Sequence, residues 1–115
     1  MGFRAAVTTS DGKLIDLHFG RAMRFLIIDV ADDGAYSVVE WRDAPARDEA
    51  ADGCLGWFAK VTDVLPDVQY VLTAAVGPKA HRALSAAGIT PLESPEDLDE
   101  ALAGLVRYRN RRQAR

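Results

Sequence analysis

A single cysteine, Cys54, excludes an internal disulfide from this chain and suits a reducing compartment. No apolar run approaches the roughly 20 residues that a membrane helix needs. The opening segment MGFRAAVTTSDG lacks a long apolar core followed by a small-residue cleavage site. A cytoplasmic location away from any membrane is therefore expected. Basic charge is also outnumbered by acidic charge over most of the chain. The net charge is −3, yet residues 107–115 hold five arginines (Arg107, Arg109, Arg111, Arg112 and Arg115) and no acid. The residues before them carry about −8, which argues against a nucleic-acid-binding surface on the main body. The arginines themselves read either as a contact for an acidic partner or as a solvated helix end.

What is present fits one domain. The 115 residues are 49% apolar and 27% charged, enough for a single core without disulfide or metal staples. We expect that domain over residues 1–110, with residues 111–115 as a basic tail. No internal repeat or low-complexity segment interrupts it.

Residues 3–9 alternate and read as a strand. Ser10-Asp11-Gly12-Lys13 reads as a tight turn. Residues 24–30 (RFLIIDV) are apolar on both faces, as a central strand requires. Asp32-Asp33-Gly34 turns the chain back into a strand over 35–41, which makes an antiparallel meander. Residues 43–53 read as a mobile loop. Leu55, Phe58, Val61 and Leu65 then mark a helix that stops before Pro66. A buried strand follows over 69–76, and Gly77-Pro78 opens a helix lined by Ala80, Leu84 and Ala87 and ended by Gly88. Residues 89–92 contain Pro91 and suit a short edge strand. Ser94 reads as the cap of a last helix striped by Leu98, Leu102, Leu105 and Tyr108. The expected order is βββαβαβα, an α/β architecture with the last two strands parallel to the first.

The segment with most chemical promise is Asp16-Leu17-His18-Phe19-Gly20, just ahead of the central strand. Imidazole is the commonest metal ligand among side chains, although a lone histidine in a loop also serves as a structural hydrogen-bonding group. Phe19 can anchor the loop in the core, while Gly20 lets a bulky ligand approach the backbone. Cys54, just ahead of the first helix, reads on its own as a small buried hydrophobe. His81 sits between charged neighbours and reads as a surface residue.

These pieces, in this order, resemble the dinitrogenase iron–molybdenum cofactor-binding family. The resemblance rests on Ser10-Asp11-Gly12, Asp16 to Ala22 and Phe25-Leu26-Ile27, then on Asp52-Gly53-Cys54, Val76-Gly77 and Ala87-Gly88-Ile89. That family includes nitrogenase accessory proteins that carry the cofactor or its precursor. The resemblance implies a ribonuclease-H-like three-layer fold with a mixed five-stranded sheet, and a non-catalytic role in binding a cluster. It implies His18 and Cys54 as metal ligands, with Phe19, Gly20, Arg21 and Gly77 around the bound iron–molybdenum cofactor or related iron–sulfur cluster. The Gly77-Pro78-Lys79 helix start offers backbone N–H groups to an anion, and Arg21 and Lys79 can add charge. One histidine and one cysteine are too few for an ordinary four-cysteine site, so transient holding is expected. Many relatives carry another cysteine where this chain reads Pro66-Asp67-Val68-Gln69.

The implied partners are nitrogenase or cofactor-assembly proteins, with the chain itself a monomer or a weak homodimer. Two other functions compete. One is a metal-free protein-interaction module using the sheet edge or the arginines. The other is a nuclease using Asp11, Asp16 and Asp29 to hold metal ions.

Overall fold

In the computed structural model, residues 2–46 and 53–113 are described, with the backbone alone for 53–55 and 112–113. The first three strands are β1 (Phe3–Val7), β2 (Arg24–Val30) and β3 (Tyr36–Asp43). Then come α1 (Gly53–Val64), β4 (Tyr70–Thr73), α2 (Pro78–Ala86), β5 (Thr90–Glu93) and α3 (Leu98–Gln113). The expected order βββαβαβα is the observed one. The strands form one mixed sheet in the order β3-β2-β1-β4-β5. β2 runs antiparallel to both β1 and β3, while β4 runs parallel to β1 and β5.

Sequence explains each strand's place. β1 and β2 lie inside the sheet, and Ala5, Ala6, Val7, Phe25, Leu26, Ile27 and Ile28 are all buried. β5 takes an outer position, where Pro91, opposite Val71, occupies an edge strand that tolerates its missing N–H. Residues 47–52 of the expected loop lie outside the described residues; its first residue, Asp43, instead ends β3.

Helices cover both faces, which gives the expected three-layer α/β fold. On one face Trp57, Val61 and Leu65 of the α1 segment and Ala80 and Leu84 of α2 pack with Phe25, Ile27 and Val71. On the other, Leu98, Ala101, Leu102 and Leu105 of α3 pack with Ala5, Val7, Leu26 and Ile28. A helix as short as α1 is marginal alone in water. Burial holds it, at about 1.5–3 kcal/mol for each large apolar side chain taken fully inside.

Helix ends show where local signals competed. Gly88, with φ of 83°, closes α2 as expected, and Ile89 N–H reaches back to Leu84 O at 2.9 Å. Ala87, however, is exposed at the cap rather than lining the core. Ser94 does not cap α3. Its N–H continues the sheet ladder to Thr73 O at 2.8 Å, and the cap passes to Asp97, whose carboxylate accepts Glu100 N–H at 2.8 Å. α3 runs on to Gln113, into the stretch expected as a tail.

Candidate functional site

β1, β4 and β5 are parallel, so their carboxyl ends share one end of the sheet, where ligands of open α/β sheets usually bind. Val7 of β1 is in register with Leu72 of β4, which brings Thr8 and Thr73 side by side just beyond. Both threonines are buried, with hydroxyls 2.8 Å apart. Thr8 donates to the carbonyl of Leu17 at 2.7 Å, and the Thr73 hydroxyl approaches the same oxygen at 3.1 Å. Ala74 N–H also donates to Leu17 O, and Phe19 N–H donates to Ala75 O at 2.9 Å. The returning loop is thereby fastened across the ends of both central strands.

His18 follows in extended backbone and enters a 3-10 turn over Phe19–Arg21. Arg21 N–H closes the turn on His18 O at 2.9 Å. Phe19 is only 1% exposed and sits among Phe25, Trp57 and Phe58, with ring centroids 5.8 to 6.2 Å away. His18, Gly20 and Arg21 face solvent around it. A Cβ placed on Gly20 or on Gly77 would meet nothing within 4 Å. The imidazole therefore stands on a fixed backbone at an end of the sheet where both glycines leave open space.

Gly77 caps α2 without a side chain, and α2 has no acid in its first turn, whereas α3 has Asp99 and Glu100 there. The free N–H groups at the α2 start keep their positive character, partly offset by Glu93, which accepts Val76 N–H at 2.8 Å. Arg21 and Lys79 are both exposed. Cys54 falls in the first turn of α1, and its side chain lies outside the described residues. One turn further on, Trp57 packs on Phe19 and donates its indole N–H to Pro45 O at 2.9 Å, which brings the start of α1 toward the same rim. His81 is exposed on α2, 3.4 Å from the Ser85 hydroxyl, as expected for a surface residue.

The carboxylates of the nuclease alternative are held apart by other tasks. Asp11 accepts the N–H groups of Lys13 and Leu14, Asp16 binds the backbone and hydroxyl of Ser10, and Asp29 pairs with Arg4 at 2.7 Å. These hydrogen bonds hold all three carboxyls below their usual titration range. Among the described residues, no three His, Cys, Asp or Glu side chains gather closely enough to hold a metal ion. Also among the described residues, no helix is long and apolar enough to cross a membrane.

Two contributors were missed by the sequence reading. The Thr8–Thr73 pair and the Glu93–Val76 contact depend on strand register, although threonines at the ends of two apolar strands were the available signal.

The family model for the dinitrogenase iron-molybdenum cofactor matches residues 1–108. The chain belongs to this family. It is 34% identical over 91 residues to the FeMo cofactor biosynthesis protein NifB of Klebsiella pneumoniae. That match takes in 75% of this chain and 19% of NifB, so the chain spans about a fifth of that relative's length. The apo form of the orange protein of Desulfovibrio gigas is 32% identical, with a TM-score of 0.62 over 90% of this chain and 87% of that one. The fold recurs in mj0327 of Methanocaldococcus jannaschii, 17% identical, with a TM-score of 0.60 over 93% of this chain and 90% of that one. Membership relates the chain to the dinitrogenase iron–molybdenum cofactor.

Proposed function

We propose that this chain transiently holds an iron–molybdenum cofactor, or a precursor iron–sulfur cluster, and passes it to nitrogenase or a cofactor-assembly protein in the cytoplasm. The observation that carries this reading is the exposed His18 imidazole on a hydrogen-bonded backbone, on the rim that also holds the open glycines and the α2 start. A neutral imidazole nitrogen suits iron, and the free N–H groups at α2 suit the anionic charge of such a cargo. Cys54 is the second soft donor, introduced by the first turn of α1. Arg21 and Lys79 add positive charge at the rim, while Phe19 fixes the loop from below. The cargo enters and leaves chemically unchanged, so the role is that of a carrier rather than a catalyst.

The test is anaerobic uptake of isolated cofactor by the purified protein, followed as visible absorption that co-elutes in gel filtration. The wild type should take up cofactor, and His18→Ala should weaken uptake by about tenfold, the loss of one coordinate bond to a weakly held cargo. No uptake by the folded wild type would overturn the proposal.

A further inference from the structure

α3 carries acid at one end and arginine at the other along a single outward line. At about 100° per residue, Glu100, Ala103, Gly104, Arg107 and Arg111 fall on the same side of the helix. Leu98, Ala101, Leu102 and Leu105 take the opposite side and meet the sheet. Glu100, Ala103, Arg107 and Arg111 are exposed. Among the described residues, a Cβ added to Gly104 would meet only the far end of the Arg107 side chain, at 3.8 Å. Glu96, just ahead of the helix, adds an acid beside Glu100. The carboxylates of Asp97 and Glu96 push the Glu100 carboxyl above its ordinary range.

Neither end finds its opposite charge within the chain. The positions three and four residues after Glu100 are Ala103 and Gly104, and the same two lie four and three before Arg107. Among the described residues, Glu96, Glu100, Arg107 and Arg111 make no ion pair. Asp97 is occupied by the cap and Asp99 by the Tyr36 hydroxyl. The helix dipole accounts for the sign at each end, but not for small residues at both pairing positions between them.

The order of charge is complementary to its own reverse. If a second α3 is laid antiparallel about a two-fold axis between Ala103 and Gly104, Glu100 of each copy faces Arg107 of the other. The Glu96 end then faces Arg111, and the small residues at the crossing let the backbones come close. A parallel pair would set acid on acid and arginine on arginine. A uniformly acidic partner would be drawn to Arg107 and Arg111 but repelled by Glu96 and Glu100, and a basic one the reverse.

We infer that two copies of this chain associate through α3, packed antiparallel and matched by charge. The contact is about four helical turns long, which is small for a stable interface. The dimer is therefore weak, with a dissociation constant of about 10–100 μM at low salt. Added salt weakens it further, because its charge pairs lie near solvent.

Sedimentation equilibrium of the full chain at neutral pH tests this. The wild type should dimerise with rising concentration at low salt and dissociate as salt is added. Arg107→Glu with Arg111→Glu makes the line wholly acidic, and Glu96→Arg with Glu100→Arg makes it wholly basic. Each double variant alone should raise the dissociation constant at least about tenfold, and mixing the two should restore association. Thermal unfolding at low concentration confirms that both variants fold. The inference is overturned if the wild type stays monomeric to about 1 mM at low salt, whether or not a foreign protein binds α3. It is equally overturned if the folded variants dimerise as the wild type does, or if their mixture fails to associate.

Discussion

The hydroxyls of Thr8 and Thr73 lie 2.8 Å apart, both buried, at the ends of neighbouring parallel strands, and together they hold the carbonyl that precedes His18. His18, the proposed ligand, is therefore positioned from beneath by the sheet itself. Thr73→Val keeps the shape and removes one hydroxyl, so it should cost about 1–2 kcal/mol in urea unfolding. Because Thr8 shares the network, Thr8→Val combined with Thr73→Val should cost less than the sum of the single losses. Strict additivity would show that the two threonines act independently.

Phe19 fixes the other side of the same loop. Phe19→Ala leaves a cavity among Phe25, Trp57 and Phe58, and should destabilise the fold by about 3–5 kcal/mol. Trp57 fluorescence during denaturant unfolding should report the earlier transition. A loss below 1 kcal/mol, roughly the value of a single buried methylene, would mean that the loop is held without its anchor.

Glu93 provides a test of cargo charge. It stands beside the α2 start and accepts Val76 N–H, an interaction that a glutamine oxygen can also accept. Glu93→Gln should strengthen uptake of an anionic cluster several-fold at low salt, with the gain shrinking as salt is added. Weaker or unchanged uptake at low salt would point to a cargo without net negative charge at this position.

Asp67 makes the acid side of the stability curve predictable. It accepts Arg42 Nη1 at 2.8 Å and Arg4 Nη1 at 2.6 Å, and these bonds, Arg42 first, hold its carboxyl well below the ordinary carboxylate range. A depressed folded-state value contributes stability that is complete above the unfolded value near pH 4. That contribution is lost as pH falls toward the folded-state value. The wild type should therefore weaken below about pH 4, while Asp67→Asn, less stable at pH 7, should show a shallower acid limb. Parallel acid limbs in pH-dependent urea titrations would refute this assignment.

Where one local signal ruled, sequence reading reached the observed structure. Arg24–Val30 has no polar face to turn outward, Pro91 can sit only at an edge, and Gly88 relieves a backbone angle that other residues resist. Where two signals competed, the outcome depended on distant contacts. Ser94 and Asp97 can each cap a helix, and the ladder bond from Ser94 to Thr73 decides for Asp97. Trp57 was absent from the helical stripe read at Leu55, Phe58, Val61 and Leu65, yet it fills the core beside Phe19. His18, Phe19 and Gly20 were legible because they adjoin in sequence. Thr8, Thr73 and Glu93 join them only after three strands align.

The loop around His18 also bears on how quickly cargo can exchange. The Leu17 carbonyl, the Phe19 N–H and the His18 carbonyl already have partners. Little ordering entropy of this loop remains to be lost if a ligand binds there. On the proposed carrier role, residence time would be governed by the few bonds to the cargo itself, and a recipient protein would need to offer only one better ligand to complete the transfer.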